Sequence, residues 1–295
     1  MPTRLASAVL LALLAIPAWA ADGALLPFVL ASRGPGDPAA VAAAAQTKLE
    51  AAGFQLAGRY DPYPGATVLV VTSALLRGAA AAVPGASYGA VQRVTVTRVG
   101  DEVQLAFTNP VYMQHAYRMK TDLSIVRQQL AAALGEVEPY GPASGKTAKE
   151  LKGYHYMLGM PYFDEPTDIA SFATHAEALA AVEAGLAAGR GGTRRVYRVD
   201  LPGTEDSLFG VALSEGCGGD AVVMKEIDFK PLRSTGHLPY ELLVSGGKVT
   251  ALHAKFRIAV NFPDLSMMGS HSFMNIRCAP DAIEDALKRV AGATR

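Results

Sequence analysis

The sequence predicts an α+β protein made of two related units. Each is an antiparallel sheet packed with helices, and the two are arranged as a pseudo-symmetric pair. Three observations predict this. Alternating apolar and polar runs follow one another across short turns, the pattern of antiparallel hairpins. Segments of helical period, with capping residues, bracket those runs. The order helix, two strands, hairpin, helix occurs twice along the 295 residues.

The chain opens with a leader, residues 1–20. Arg4 supplies a positive start, "LASAVLLALLAIPAWA" an apolar run, and Ala18 and Ala20 the small residues of a cleavage site. This reads as a secretory signal peptide and places the protein in the periplasm or outside the cell. No Cys follows the site to carry a lipid anchor, and no later apolar run is long enough to span a membrane.

The first unit, 21–138, continues with a helix over Asp37 to Gly53. Asp37 caps it, Pro38 suits its first position, and Gly53 ends it. "FQLAGRY" and "ATVLVVTS" are strands with the turn "DPYPG" between them. "VQRVTVTRV" alternates as a half-buried strand, and "GDE" turns it back into "VQLAF". A closing helix carries Leu123, Val126, Leu130 and Leu134 on one face and stops at Gly135. Residues 139–166 form a linker rich in Gly, Pro and Tyr, with one short helix. Tyr154, Tyr156, Tyr162 and Phe163 are expected to pack between the halves.

The second unit, 167–295, repeats the order. Thr174 and Glu177 make a capping-box pattern before "ALAAVEAGLAAG". "RRVYRVDL" and "SLFGVAL" are strands. "YELLV", "SGGK" and "VTALHAKFRIAV" read as a hairpin. "PDAIEDALKRVAG" closes the chain, with Ile283, Leu287 and Val290 along one face. "NFPDLSMMGSHSFM" stands between the hairpin and this last helix and has no counterpart in the first half.

Leu49 to Phe54, Gly100 to Pro110 and Leu238 to Val249 carry a resemblance. A helix ends in Gly-Phe, a strand is led by Leu-Pro, a turn holds Gly-Lys-Val, and Asn-Pro follows the next strand. These resemble parts of the family known as domain of unknown function 302. The resemblance implies a compact α+β domain with an antiparallel sheet, and it carries over no catalytic residue.

Twenty-seven basic residues balance 27 acidic ones, so nothing favours nucleic acid or an anionic membrane as a partner. Cys217 and Cys278 are the two cysteines, and in an exported chain they read as one disulfide. Closing that loop stabilises a fold by roughly 4 kcal/mol in the chain-entropy model. Two free thiols are the alternative. There is no C-x-x-C, no C-x-x-C-H and no H-E-x-x-H. "GASYG" has the spacing of a hydrolase nucleophile elbow around Ser87, but a strand follows it where that motif needs a helix. "GPASGKT" has one residue too few between its glycines for a phosphate loop.

Methionine and histidine are grouped. The nine Met and six His include Met113, His115 and Met119, then His155, Met157 and Met160, then Met267, His271 and Met274. Thioether and imidazole together suit a soft ion such as copper. Met267, His271 and Met274 would share a helical face; Met113 and His115 would share a strand face. Met also fills cores beside aromatic rings, and these stretches supply such rings. Tyr112, Tyr117, Phe262 and Phe273 would suit an apolar haem pocket. The expected function is therefore an exported, non-enzymatic binding protein holding copper or haem. The alternatives are an interaction module, as a homodimer or with a periplasmic partner, and a cofactor-dependent enzyme.

Overall fold

The computed structural model describes residues 23–292, so the leader read from the sequence lies outside the described residues. The first unit runs β1 (Phe28–Pro35), α1 (Pro38–Ala51), β2 (Gln55–Tyr63), β3 (Ala66–Thr72), α2 (Ala74–Ala81), β4 (Gln92–Val99), β5 (Glu102–Thr108), α3 (Pro110–Ala116) and α4 (Ser124–Leu134). The connecting segment holds β6 (Glu138–Tyr140) and α5 (Ala148–Lys152). The second unit runs β7 (Thr167–Ser171), α6 (His175–Ala187), β8 (Thr193–Asp200), β9 (Asp206–Leu213), α7 (Asp220–Ile227), β10 (Tyr240–Ser245), β11 (Lys248–Ala251), α8 (Ala254–Asn261) and α9 (Ala279–Val290).

The two units share one topology. The first sheet has the order β2-β3-β4-β5-β1-β6, the second β8-β9-β10-β11-β7, and every pairing is antiparallel. Without β6 the orders coincide element for element. In each unit the first strand follows its own hairpin onto the sheet, β1 beside β5 and β7 beside β11. Helices α1 and α4 pack on each other over the first sheet, as α6 and α9 do over the second. The apolar faces of α4 and α9 read from the sequence are buried, and Gly135 ends α4 at φ 100°. Thr174 caps α6 by accepting the Glu177 amide.

Several elements differ from the sequence reading. Strands β1 and β7 are not predicted by the sequence: the apolar run of β1 is too short to show a period, and β7, "TDIAS", buries only Ile169. The return strand of the second hairpin stops at Ala251. His253 then accepts the Lys255 amide and starts α8, so "AKFRIAV" is helix rather than strand. Met113 and His115 lie on α3, which Asn109 caps and Pro110 opens; they share no strand face. The stretch from Met267 to Met274 is a loop ending in a 3-10 turn, so its helical face does not form.

The units join closely. One continuous apolar core crosses both. Edge strands β2 and β8 meet at Gly58, where any side chain would collide with the Val196 carbonyl. A 3-10 turn before β4 (Ala86–Ala90) packs on β9 and β10, and its counterpart before β10 (Thr235–His237) packs on β3, β4 and β5. Thr235 bonds Thr97 and Tyr63 at 2.8 Å each. Arg93 of β4 donates to Glu241 of β10 at 2.5 Å, both 1% exposed. The Tyr197 ring lies over Gly210, and its hydroxyl donates to the same carboxylate.

The connecting segment is part of this joint. Tyr154 donates to the Ala259 carbonyl and Tyr156 to that of Leu265. Phe163 stacks on Tyr117 and leans on Phe256. Tyr162 stays partly exposed against the His155 ring. Among the described residues no helix is long and apolar enough to cross a membrane.

Candidate functional site

Helix α7 lies across the joint, packed on β2 of the first unit. Its eight residues bury Val223, Met224 and Ile227. A buried aspartate stands at each end. Asp220 opens the helix and is 2% exposed; Asp228 follows it and is 6% exposed. A buried carboxylate ordinarily finds partners for both oxygens. Here each keeps one oxygen without a partner.

Asp220 accepts the Tyr60 hydroxyl and the Leu213 amide on Oδ2, both at 3.2 Å, and Oδ1 is left over. Burial pushes its carboxyl up to about 7, against the pull of the Leu213 amide, the Tyr60 hydroxyl and Arg194. It forms part of the wall of an open cleft of about 950 Å³ between the units. Tyr60, Asp61 and Pro62 come from the first unit; Arg194, Glu215 and the first turn of α7 come from the second.

Asp228 accepts the Ser234 amide on Oδ1 at 2.8 Å, and Oδ2 is left over. Burial pushes it up to about 7 as well, against the Ser234 amide and Arg233. The loop that follows is fastened to the first sheet. Gln104 donates to the Pro231 carbonyl, Tyr140 donates to that of Arg233, and Leu232 packs against the Phe28 and Leu30 cluster.

The residues singled out by the sequence fall elsewhere. Met113 is 2% exposed in the core. His115 is half-buried; burial, with Lys152 nearby, holds its imidazole below the usual range. Met267 is half-buried, while His271 and Met274 are exposed. The loop closes on itself: the Phe273 amide donates to the Ser266 carbonyl and that of Met274 to the Met267 carbonyl. His271 sits at φ 52°, stacks on Phe229, and places Nδ1 2.9 Å from the Glu226 carbonyl. Among the described residues, no group of three His, Cys, Asp or Glu is placed to hold a metal. Tyr112 and Tyr117 are core residues. Phe262 and Phe273 line a narrow apolar pocket with Tyr156, Met160 and Leu265, far too small for a haem.

Cys217 and Cys278 stand at disulfide distance, with Cα atoms 6.2 Å apart, and tie the turn before α7 to the start of α9. Ser87 is fully buried, and its hydroxyl donates to Asp206 across the joint. It sits on a 3-10 turn between α2 and β4, without the strand-to-helix elbow.

Sequence reading missed both aspartates. "CGGDAVV" offers Asp220 only as an acid in a first helical turn, where the dipole favours it. Its partner Tyr60 is 160 residues away.

The fold and clefts define a class: a two-unit α+β protein with ligand-sized openings along the joint. Beyond that, the chain matches no family model, no curated protein and no solved structure.

Proposed function

We propose that this is an exported, non-enzymatic binding protein, built of two units of the kind the domain of unknown function 302 resemblance implies. Its ligand is a small organic cation held in the Asp220 cleft. The observation that carries this reading is the buried Asp220 carboxylate, whose Oδ1 lacks a donor beneath an open cleft. An ammonium group supplies both the missing donor and the countercharge. With Asp61 and Glu215 on the same walls, the acids outnumber the one cation there, Arg194. Calorimetry with primary amines and polyamines, and with neutral and anionic compounds as controls, tests it. Amines should bind at pH 8, and binding should weaken as the pH falls through about 7, where Asp220 takes up a proton. Asp220→Asn, which can still accept from Tyr60 and Leu213, should lose at least tenfold, about 1.4 kcal/mol. Equal amine affinity in that variant would remove the reading.

A second reading is copper at Met267, His271 and Met274. The bond from the Met274 amide to the Met267 carbonyl favours it, because it brings the two methionines together at the neck of one loop. Nδ1 of His271 is already at the Glu226 carbonyl, which leaves Nε2 as the ring's metal donor. Met113 and His115, on the first unit's α3, take no part. Competition against a Cu(I) chelator should show His271→Ala binding at least tenfold more weakly. Unchanged affinity would leave the loop a packing element.

A further inference from the structure

The groove at the other end of α7 has the opposite charge. It is open to solvent between the units and is lined by Tyr63, Thr97 and Arg98 of the first and by Lys225, Asp228 and Arg233 of the second. Among the described residues none of its three cations is in an ion pair. Arg98 donates to the Gly36 carbonyl and Arg233 to the Asp228 carbonyl, while Lys225 is exposed on α7. Three unpaired cations converging from two units repel one another, and the last turn of α7 accounts for only part of the arrangement. The groove also contains hydrogen to give. The Tyr63, Thr97 and Thr235 hydroxyls share two bonds among themselves, so one hydroxyl hydrogen is spare. The Oδ2 of Asp228 has no partner, although the side chain is more than nine-tenths buried.

We propose that this groove binds a tetrahedral oxyanion, a phosphate or sulfate group, between Arg98, Lys225 and Arg233, with the Asp228 carboxyl donating a hydrogen bond to it. The doubly charged oxyanion offsets most of the charge of the three cations and accepts a hydrogen bond from Asp228 Oδ2. A single positive ligand would meet three like charges there. A carboxylate would leave more of the positive charge uncompensated. The proposal is independent of the cation reading at Asp220.

The test is calorimetry on the purified protein at constant ionic strength, with chloride as the reference salt. Sulfate serves for the pH series, since it does not titrate between pH 6 and 8. The groups around Asp228 are Tyr63 on β2, Arg98 on β4, Tyr140 on β6, Lys225 on α7, Lys230 and Arg233 on the loop after it, and Asp264 after α8, which pairs with Lys230. Burial pushes Asp228 up to about 7, inside the range of the pH series. Sulfate should bind at least fivefold more tightly at pH 6 than at pH 8. Arg98→Ala with Lys225→Ala, both at exposed positions, should weaken it at least tenfold. Asp228→Asn keeps a donor and should bind with little pH dependence. Inorganic phosphate compared with glycerol phosphate tells a free ion from an esterified group; the tighter of the two names the source. Absence of sulfate and phosphate binding, unchanged affinity in the double variant, or an intact pH dependence in Asp228→Asn would each overturn the proposal.

Discussion

Asp220 and Asp228 are expensive residues for the fold. Unfolded, each ionises near pH 4; folded, each is pushed up to about 7 by burial. Between those values the folded chain holds a proton that the unfolded chain has released. Stability therefore falls as pH rises from about 4 to 7, and the loss is complete above 7. Asp220→Asn cannot ionise, so its advantage over the parent should be small at pH 4.5 and should grow to about 2–4 kcal/mol at pH 8. Urea denaturation at the two pH values measures it. An advantage that stays constant with pH would show that the carboxyl is not perturbed. A residue that costs stability at neutral pH and faces an open cleft is the expected mark of a binding site. His237 acts in the opposite sense. It is fully buried, and burial holds its imidazole well below the usual range, so its neutral form is lost to the unfolded state at low pH.

Helix α7 shows what a single element contributes. It is short, so its stability comes from the apolar side it buries and from what holds its ends. The first end follows the turn at Cys217, and Cys278 reaches that turn from α9. Closing this loop as a disulfide should stabilise the fold by roughly 2–4 kcal/mol. Thiol titration of the unfolded, unreduced protein should find no free thiol, and Cys217→Ser with Cys278→Ser should lower the urea midpoint by the corresponding amount. Two titratable thiols per chain would refute the crosslink. The added segment of the second unit, by contrast, joins α8 to α9 over residues 262–278, where the first unit needs only 117–123 between α3 and α4. Its Phe262 and Asp264 line a third groove beside Lys230 and Asn261, and Lys230 pairs with Asp264. Its methionines lie outside that groove.

The whole molecule depends on its joint. Arg93 and Glu241 are fully buried, come from different units, and are hydrogen-bonded to each other. Arg93→Ala would leave the Glu241 charge buried beside Tyr197 without its main countercharge, a loss of about 3–5 kcal/mol. Because the core runs through both units, unfolding should remain one cooperative transition, with the two units melting together. Two separate calorimetric transitions in the parent protein, or a loss below 1 kcal/mol in the variant, would show that the units fold independently.

The sequence by itself determined the class of fold, the tandem order of the elements, and the faces of α4 and α9 that turn inward. Those properties are local: a period of two or 3.6, a cap or a turn is written in neighbouring residues. Where the signal was short, as in β1, β7 and the start of α8, neighbouring strands and a capping His253 decided the outcome. Only the tertiary structure decided which polar residues are buried and left without a partner. Asp220 becomes a candidate because Tyr60 and the end of β9 at Leu213 close over one of its oxygens. Asp228 becomes one because its loop is fastened to the first sheet. The methionine and histidine stretches could be counted in the sequence, but the direction of each side chain depends on helix, loop and burial. Burial is a property of the packed whole, so the clefts along the joint could be found only once both units were in place.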